Sequence, residues 1–177
     1  MRLFIAVNFE EPVKDQIFGI IREVEKYALK GRFAKKEHMH LTLEFLGEIP
    51  QEKISSIISA MNCIGVPPFT LELAGLGYFR RRGGDICWLG VKENKKLMEM
   101  QSRLHKTLLD KGFLLQDREY RPHITIGREV KLKESFNSLR LEKDICSIII
   151  HVNSIELMKS ERINGRLVHQ RIFSKVL

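Results

Sequence analysis

The 177 residues contain three cysteines, one tryptophan and five prolines, and no apolar run longer than a strand. Cys63, Cys87 and Cys146 are odd in number and lack metal-type spacing, which excludes a disulfide framework and a thiolate metal site. A reducing cytoplasm is the expected compartment. The longest apolar stretches, such as Ile145 to Val152, are far too short for a membrane-spanning helix. Residues 3–7 are too short for a secretory signal core, and Glu10 and Glu11 follow at once. No segment has the composition of a linker, a repeat tract or a disordered tail, so residues 1–177 are expected to form one domain. Acidic residues are also in deficit. The net charge is +8 and the pI about 9.5, which suits a polyanionic partner such as RNA and equally a solvated basic surface.

With 44% hydrophobic residues there is ample material for a core. Residues 2–9 alternate as a strand, and Phe4 makes both of its faces apolar, which places it centrally in a sheet. Pro12 suits a first helical position, and Val13, Ile17, Ile20, Ile21 and Val24 follow at helical spacing, with Gly31 as the stop. A second helix follows Pro50 and is broken by Pro67 and Pro68. Strands are expected over 69–77 and 85–91, joined by a loop, Tyr78 to Gly84, that holds three arginines. That loop reads equally as an RNA-contacting tip and as an ordinary turn. Trp88 reads as core. Glu93 to Lys111 is the clearest helix, with Leu97, Met100 or Gln101, Leu104 and Leu108 as its stripe and His105 beside it as a solvated residue. One or two strands are expected over 144–158. Asn164-Gly165 marks a type I′ hairpin, with His169 a structural residue in the last strand. The expected fold class is α+β.

One phrase occurs twice. His40-Leu41-Thr42-Leu43-Glu44-Phe45 stands in the first half and His123-Ile124-Thr125-Ile126-Gly127-Arg128 in the second. Strand side chains alternate between faces, so each copy presents an imidazole and a hydroxyl side by side and sends its aliphatic residues the other way. One copy per half suggests two similar lobes of antiparallel sheet with outer helices, related by a pseudo-two-fold axis around a cleft. In-line displacement at phosphorus needs a base on the entering side and an acid on the leaving side. Two imidazoles can divide those tasks near neutral pH, and threonine hydroxyls can donate to the non-bridging oxygens. Strict alternation points Arg128 away from the His123 face, and a bulge at Gly127 could turn it back. The matching place in the first copy is Phe45, readable as a stacking ring or as a core residue.

These two His-x-Thr strands, with the opening Met1 to Val7 and the context Arg121-Pro122 before His123, resemble the two-histidine phosphoesterases. Within them the chain is similar to the RNA 2′,3′-cyclic phosphodiesterases, also called 2′-5′ RNA ligase-like proteins. The resemblance implies hydrolysis of RNA 2′,3′-cyclic phosphate ends to 2′-phosphomonoesters, with 2′-5′ joining of RNA ends or a non-catalytic RNA-end binding module as alternatives. It implies His40 as proton donor and His123 as proton acceptor. Thr42, Thr125, Arg128 and Phe45 would bind the substrate. It implies no cofactor and no metal, RNA ends as partner (tRNA fragments among the candidates), no membrane, and a monomer. A competing metal account rests on His38-Met39-His40, two imidazoles on one strand face, but no carboxylate or cysteine joins them in a ligand pattern.

Overall fold

The computed structural model describes residues 1–133, 145 and 147–177. Nine strands and three helices follow one another as β1 (Arg2–Asn8), α1 (Glu11–Lys26), β2 (Ala28–Phe33), β3 (His40–Glu48), α2 (Ile54–Asn62), β4 (Phe69–Phe79), β5 (Asp85–Val91), α3 (Lys95–Asp110), β6 (His123–Leu132), β7 (Ile149–Val152), β8 (Ser154–Ile163) and β9 (Arg166–Val176) among the described residues. They form two antiparallel sheets of order β3-β1-β8-β9 and β2-β6-β5-β4-β7. The fold is α+β, as the alternation of strand and helix patterns predicts. β1 is central and its residues 3–7 are buried, in keeping with its two apolar faces.

The two phrases lie in different sheets, β3 in the first and β6 in the second. The lobes do not coincide with the halves of the chain. β8 and β9, from the C-terminal end, complete the sheet of β3, while β2, from the N-terminal half, edges the sheet of β6. One continuous buried cluster runs from Leu3, Ile5 and Val7 through Leu41, Leu43, Leu71 and Leu89 to Leu104, Ile124 and Leu157. Burial of that apolar surface is the main driving force for holding the sheets and helices together.

Each helix lays one stripe on this core. α1 buries Ile17, Ile20, Ile21 and Val24. α3 buries Leu97, Met100, Gln101, Leu104 and Leu108, and starts at Asn94, whose side chain accepts from the Leu97 N–H at 3.0 Å. Asn164 and Gly165 both have positive φ, 50° and 77°, as a type I′ turn between β8 and β9 requires.

Local departures from expectation have physical causes. α1 ends at Lys26 rather than at Gly31, because Ala28–Phe33 pairs with β6 as an edge strand. A Cβ on Gly31 would meet Val130 at 3.0 Å, so that glycine permits close strand packing and stops no helix. The 144–158 stretch divides into β7 and β8 at Asn153, with Asp144 and Cys146 outside the described residues. Trp88 is half-buried rather than core. Its indole lies across Gly77, where a Cβ would stand 2.2 Å from ring carbons. Gly77→Ala is therefore expected to displace the indole and cost about 1–3 kcal/mol of stability. Denaturant unfolding followed by the emission of this sole tryptophan measures both, and unchanged stability with unchanged emission would contradict the packing described.

Candidate active site

The two phrases share more than their letters. From histidine to sixth residue, both run half-buried, buried, half-buried, buried, buried, exposed. The doubled buried step has one cause. Pairing with β1 slips between Thr42 and Glu44, leaving Leu43 without a partner on β1; pairing with β5 slips between Thr125 and Gly127, leaving Ile126 unmatched there. A bulge three residues after each histidine resets the alternation. The sixth residues, Phe45 and Arg128, thereby join the histidine face. The strict alternation that would send Arg128 away is overridden in β6, and Phe45, 41% exposed, is no core residue.

The histidines are held alike. His40 Nδ1–H donates to the His38 carbonyl at 2.8 Å, and His123 Nδ1–H donates to the Arg121 carbonyl at 2.7 Å. A carbonyl can only accept, so each bond places the proton on Nδ1 and leaves Nε2 as the nitrogen available to a ligand. The His40 ring packs on Phe4 at 4.8 Å and on the edge of His169 at 5.4 Å. The His123 ring stands edge-on to Phe79 at 5.1 Å, with Trp88 beyond at 6.3 Å. Thr42 and Thr125 share these faces, and the Thr42 carbonyl accepts from the Tyr120 hydroxyl at 3.0 Å. That bond crosses between the sheets, tying the segment before β6 to β3.

Electrostatics favour neutral rings in the empty cleft. Burial lowers the His40 pKa to about 4, helped by the nearby His169, opposed by the bond to the His38 carbonyl, and furthered by His38 and the Arg128 charge. Burial likewise lowers that of His123, against the Arg121 carbonyl and with the charges of Arg118 and Arg128. Arg128 thus acts on both histidines from one position.

A cavity of about 320 Å³ opens beside His123 and Thr42. Phe45 and Phe79 form its walls, and Arg81, Arg118 and Arg121 its basic rim. Tyr78 and Phe79, expected in the loop, pair with Cys87 and Ile86 as the end of β4, so the hairpin tip is 80–84; its Arg81 reaches this rim, with the Arg81 N–H bonded to Asp85.

Three residues read otherwise from sequence prove to stand at or beside the cleft. His105 is not solvated: its Nδ1–H donates to Glu44 at 2.6 Å on the cavity floor. Its place one turn after the buried Gln101 was the available signal. His169, expected as a structural residue of β9, packs its ring against His40, His38 and Phe4; only sheet register brings it there. Trp88 flanks His123, and its indole N–H is buried without a partner among the described residues. His38 sits in a 3₁₀ turn, Lys36–His38, and bonds the Leu167 carbonyl at 3.1 Å, so it does not share a strand face with His40. Among the described residues, no group of three or more His, Cys, Asp or Glu side chains is arranged to hold a metal ion. No helix among them is long and apolar enough to cross a membrane.

A family model described as the 2′-5′ RNA ligase superfamily matches residues 12–163. The chain is 34% identical over 163 residues to an RNA 2′,3′-cyclic phosphodiesterase of Thermotoga maritima, covering 90% of this chain and 87% of that one. It is 33% identical over 147 residues to a protein of the same name from Methanocaldococcus jannaschii, covering 81% and 80%. Its fold superposes on the crystal structure of Escherichia coli LigT complexed with 3′-AMP with a TM-score of 0.82 at 24% identity, covering 99% of this chain and 97% of the other.

The half-buried His40 and His169 carry a stability signature. An unfolded histidine titrates near 6.5, whereas His40 and His169 (the latter lowered by burial and by His38) titrate at about 4 when folded. Between those values the unfolded chain binds more protons, so stability falls as pH drops from about 6.5 to about 4. His169→Phe should lose less stability across that window than the wild type. Chemical denaturation at stepped pH tests this, and equal losses would contradict it.

Proposed function

The chain belongs to the 2′-5′ RNA ligase superfamily, and on that premise we propose that its cleft hydrolyses RNA 2′,3′-cyclic phosphate ends to 2′-phosphomonoesters. The observation that carries this reading is the pair of imidazoles, each held by Nδ1 to a backbone carbonyl and each with Nε2 left for a ligand. The names of the Thermotoga and Methanocaldococcus relatives support the substrate class.

In this mechanism water approaches phosphorus in line with the 3′-oxygen. His123 Nε2 takes the water's proton as the new P–O bond forms. His40 Nε2–H gives a proton to the departing ribose 3′-oxygen as the old bond breaks, so the phosphate stays on the 2′-oxygen. Thr42 and Thr125 hydroxyls donate to the non-bridging oxygens, where negative charge gathers in the transition state. Arg128 balances that charge, and the Phe45 ring offers a stacking face for the terminal nucleotide.

The lowered His40 pKa of the empty cleft needs a physical answer, since a donor must be protonated. A bound diester brings a negative charge beside both rings and offsets the Arg128 cation, which adds to the larger effect of burial in depressing them. Both effects raise the histidine pKa values. Substrate thus helps load its own acid.

The same residues would serve 2′-5′ joining if an RNA 5′-hydroxyl replaced water, a reading favoured by the family's description. RNA ends, tRNA fragments among them, are the proposed partner of a cytoplasmic monomer of one domain.

His40→Ala and His123→Ala are each expected to lose about a hundredfold or more in turnover while remaining folded. Replacing the bridging 3′-oxygen by sulfur separates their tasks. A thiolate, with a parent pKa near 8.5, leaves without a proton. His40→Ala should therefore regain much of its rate on the 3′-thio substrate and His123→Ala should not. The opposite pattern would exchange the two roles, and near wild-type turnover in either variant would refute the mechanism.

A further inference from the structure

The floor of the cleft holds a polar group that the proposed chemistry leaves unused. The bulge in β3 that turns Phe45 outward also turns Glu44 inward, and the carboxylate is only 8% exposed. Its Oε2 accepts from His105 Nδ1–H at 2.6 Å and from Gln101 Nε2 at 3.4 Å, both on α3. Gln101 Nε2 also points at the Leu43 carbonyl at 3.5 Å. His105 Nδ1–H and Gln101 Nε2 are therefore engaged with protein acceptors. What remains is the second carboxylate oxygen, the Gln101 amide oxygen and His105 Nε2, none with a hydrogen-bond partner among the described residues. Glu44, Gln101 and His105 all line the cavity.

Above this floor stand the rings of Phe45 and Phe79, facing the same cavity that His123 and Thr42 enter from the catalytic side. Aromatic walls favour a flat ring system, and stacking alone does not distinguish bases. The floor does. An ionised carboxylate only accepts hydrogen bonds, so it selects a base edge by the donors that edge carries. Guanine presents N1–H and the N2 amino group side by side, two donors toward one acceptor-rich surface. Adenine and cytosine bring one amino group next to an acceptor nitrogen. Uracil brings a single N–H between two carbonyl oxygens, which would be set against the carboxylate.

We propose that Glu44, oriented by His105 and Gln101, is a base-reading element that makes the enzyme prefer a guanosine bearing the cyclic phosphate and disfavour a uridine. The inference rests on the reading of the cleft as a cyclic phosphodiesterase site. In this arrangement the phosphate lies at the histidines and the base descends between Phe45 and Phe79 to the floor. The arginines of the rim take the phosphates of the RNA strand as it leaves the cleft. Glu44 binds and selects; it does not take part in proton transfer.

The test compares kcat/KM of the wild-type protein on the 2′,3′-cyclic phosphates of guanosine, adenosine, cytidine and uridine. Guanosine should exceed uridine about tenfold or more, the usual worth of a well-placed base-edge contact. Glu44→Gln, which puts a donor where an acceptor stood, should bring that ratio close to unity by lowering the guanosine value. Should the variant not fold, inhibition of the wild type by 2′-GMP and 2′-UMP decides alone, with the guanosine product binding about tenfold tighter. Equal turnover of the four substrates, equal inhibition by the two products, or an unchanged ratio in a folded Glu44→Gln would overturn the base-reading role and leave the phosphodiesterase reading intact. Absence of turnover on all four would overturn both.

Discussion

A hydrogen bond between a ring N–H and a carbonyl two residues back in the chain is the interaction on which the site depends. It occurs at His40 with His38 and at His123 with Arg121. Each bond does two things at once. It fixes the tautomer, so that Nε2 is the nitrogen free to exchange a proton, and it fixes the ring's direction from the first residue of a strand. A side chain with only two rotatable bonds, tied at one nitrogen and backed by an aromatic neighbour, has little freedom left. The proposed catalyst is thus assembled before substrate arrives, and its orientation needs no reorganisation during the reaction.

The strand bulges extend the cleft face from four residues to six. A regular strand would place the fifth residue, Glu44 or Gly127, on the cleft face after the histidine and the threonine, and would send the sixth away. The extra residue at Leu43 and at Ile126 brings Phe45 and Arg128 onto it as well. Function is divided between the copies by what stands at that sixth place. One copy offers a ring for stacking and the other a cation whose charge adds to burial in lowering both histidines. The exchange of β2 and β8-β9 between the two sheets then keeps the copies at a fixed distance, since neither sheet is complete without strands from the other half of the chain.

The repeated phrase was legible in the sequence because alternation is a local property. His40, Thr42, His123 and Thr125 follow from period two and from the repetition itself. The direction of Phe45 was not legible, because its bulge is decided by pairing with β1 and leaves no mark in the phrase; for Arg128, Gly127 offered a bulge as one of two alternatives, and pairing with β5 decided between them. The same holds for His169: it reaches His40 only through the register of β9 on β8 and β8 on β1. His105 was within reach of helical periodicity, being one turn beyond the buried Gln101, but its partner Glu44 lies 61 residues away. Trp88 reads as core from sequence, as a single tryptophan usually does. Gly77 lets its indole lie along the sheet instead, at the side of His123.

The central claim is that two histidines on two strands address one phosphorus atom through equivalent nitrogens. A crystal structure with a nucleoside vanadate bound, a mimic of the five-coordinate transition state, tests it most directly. The account predicts Nε2 of His40 and Nε2 of His123 within hydrogen-bonding distance of the two apical oxygens on opposite sides of the vanadium. Arg128 and both threonine hydroxyls should then lie at the equatorial oxygens. A vanadate held by one histidine alone, or touched by a ring through Nδ1, would contradict it.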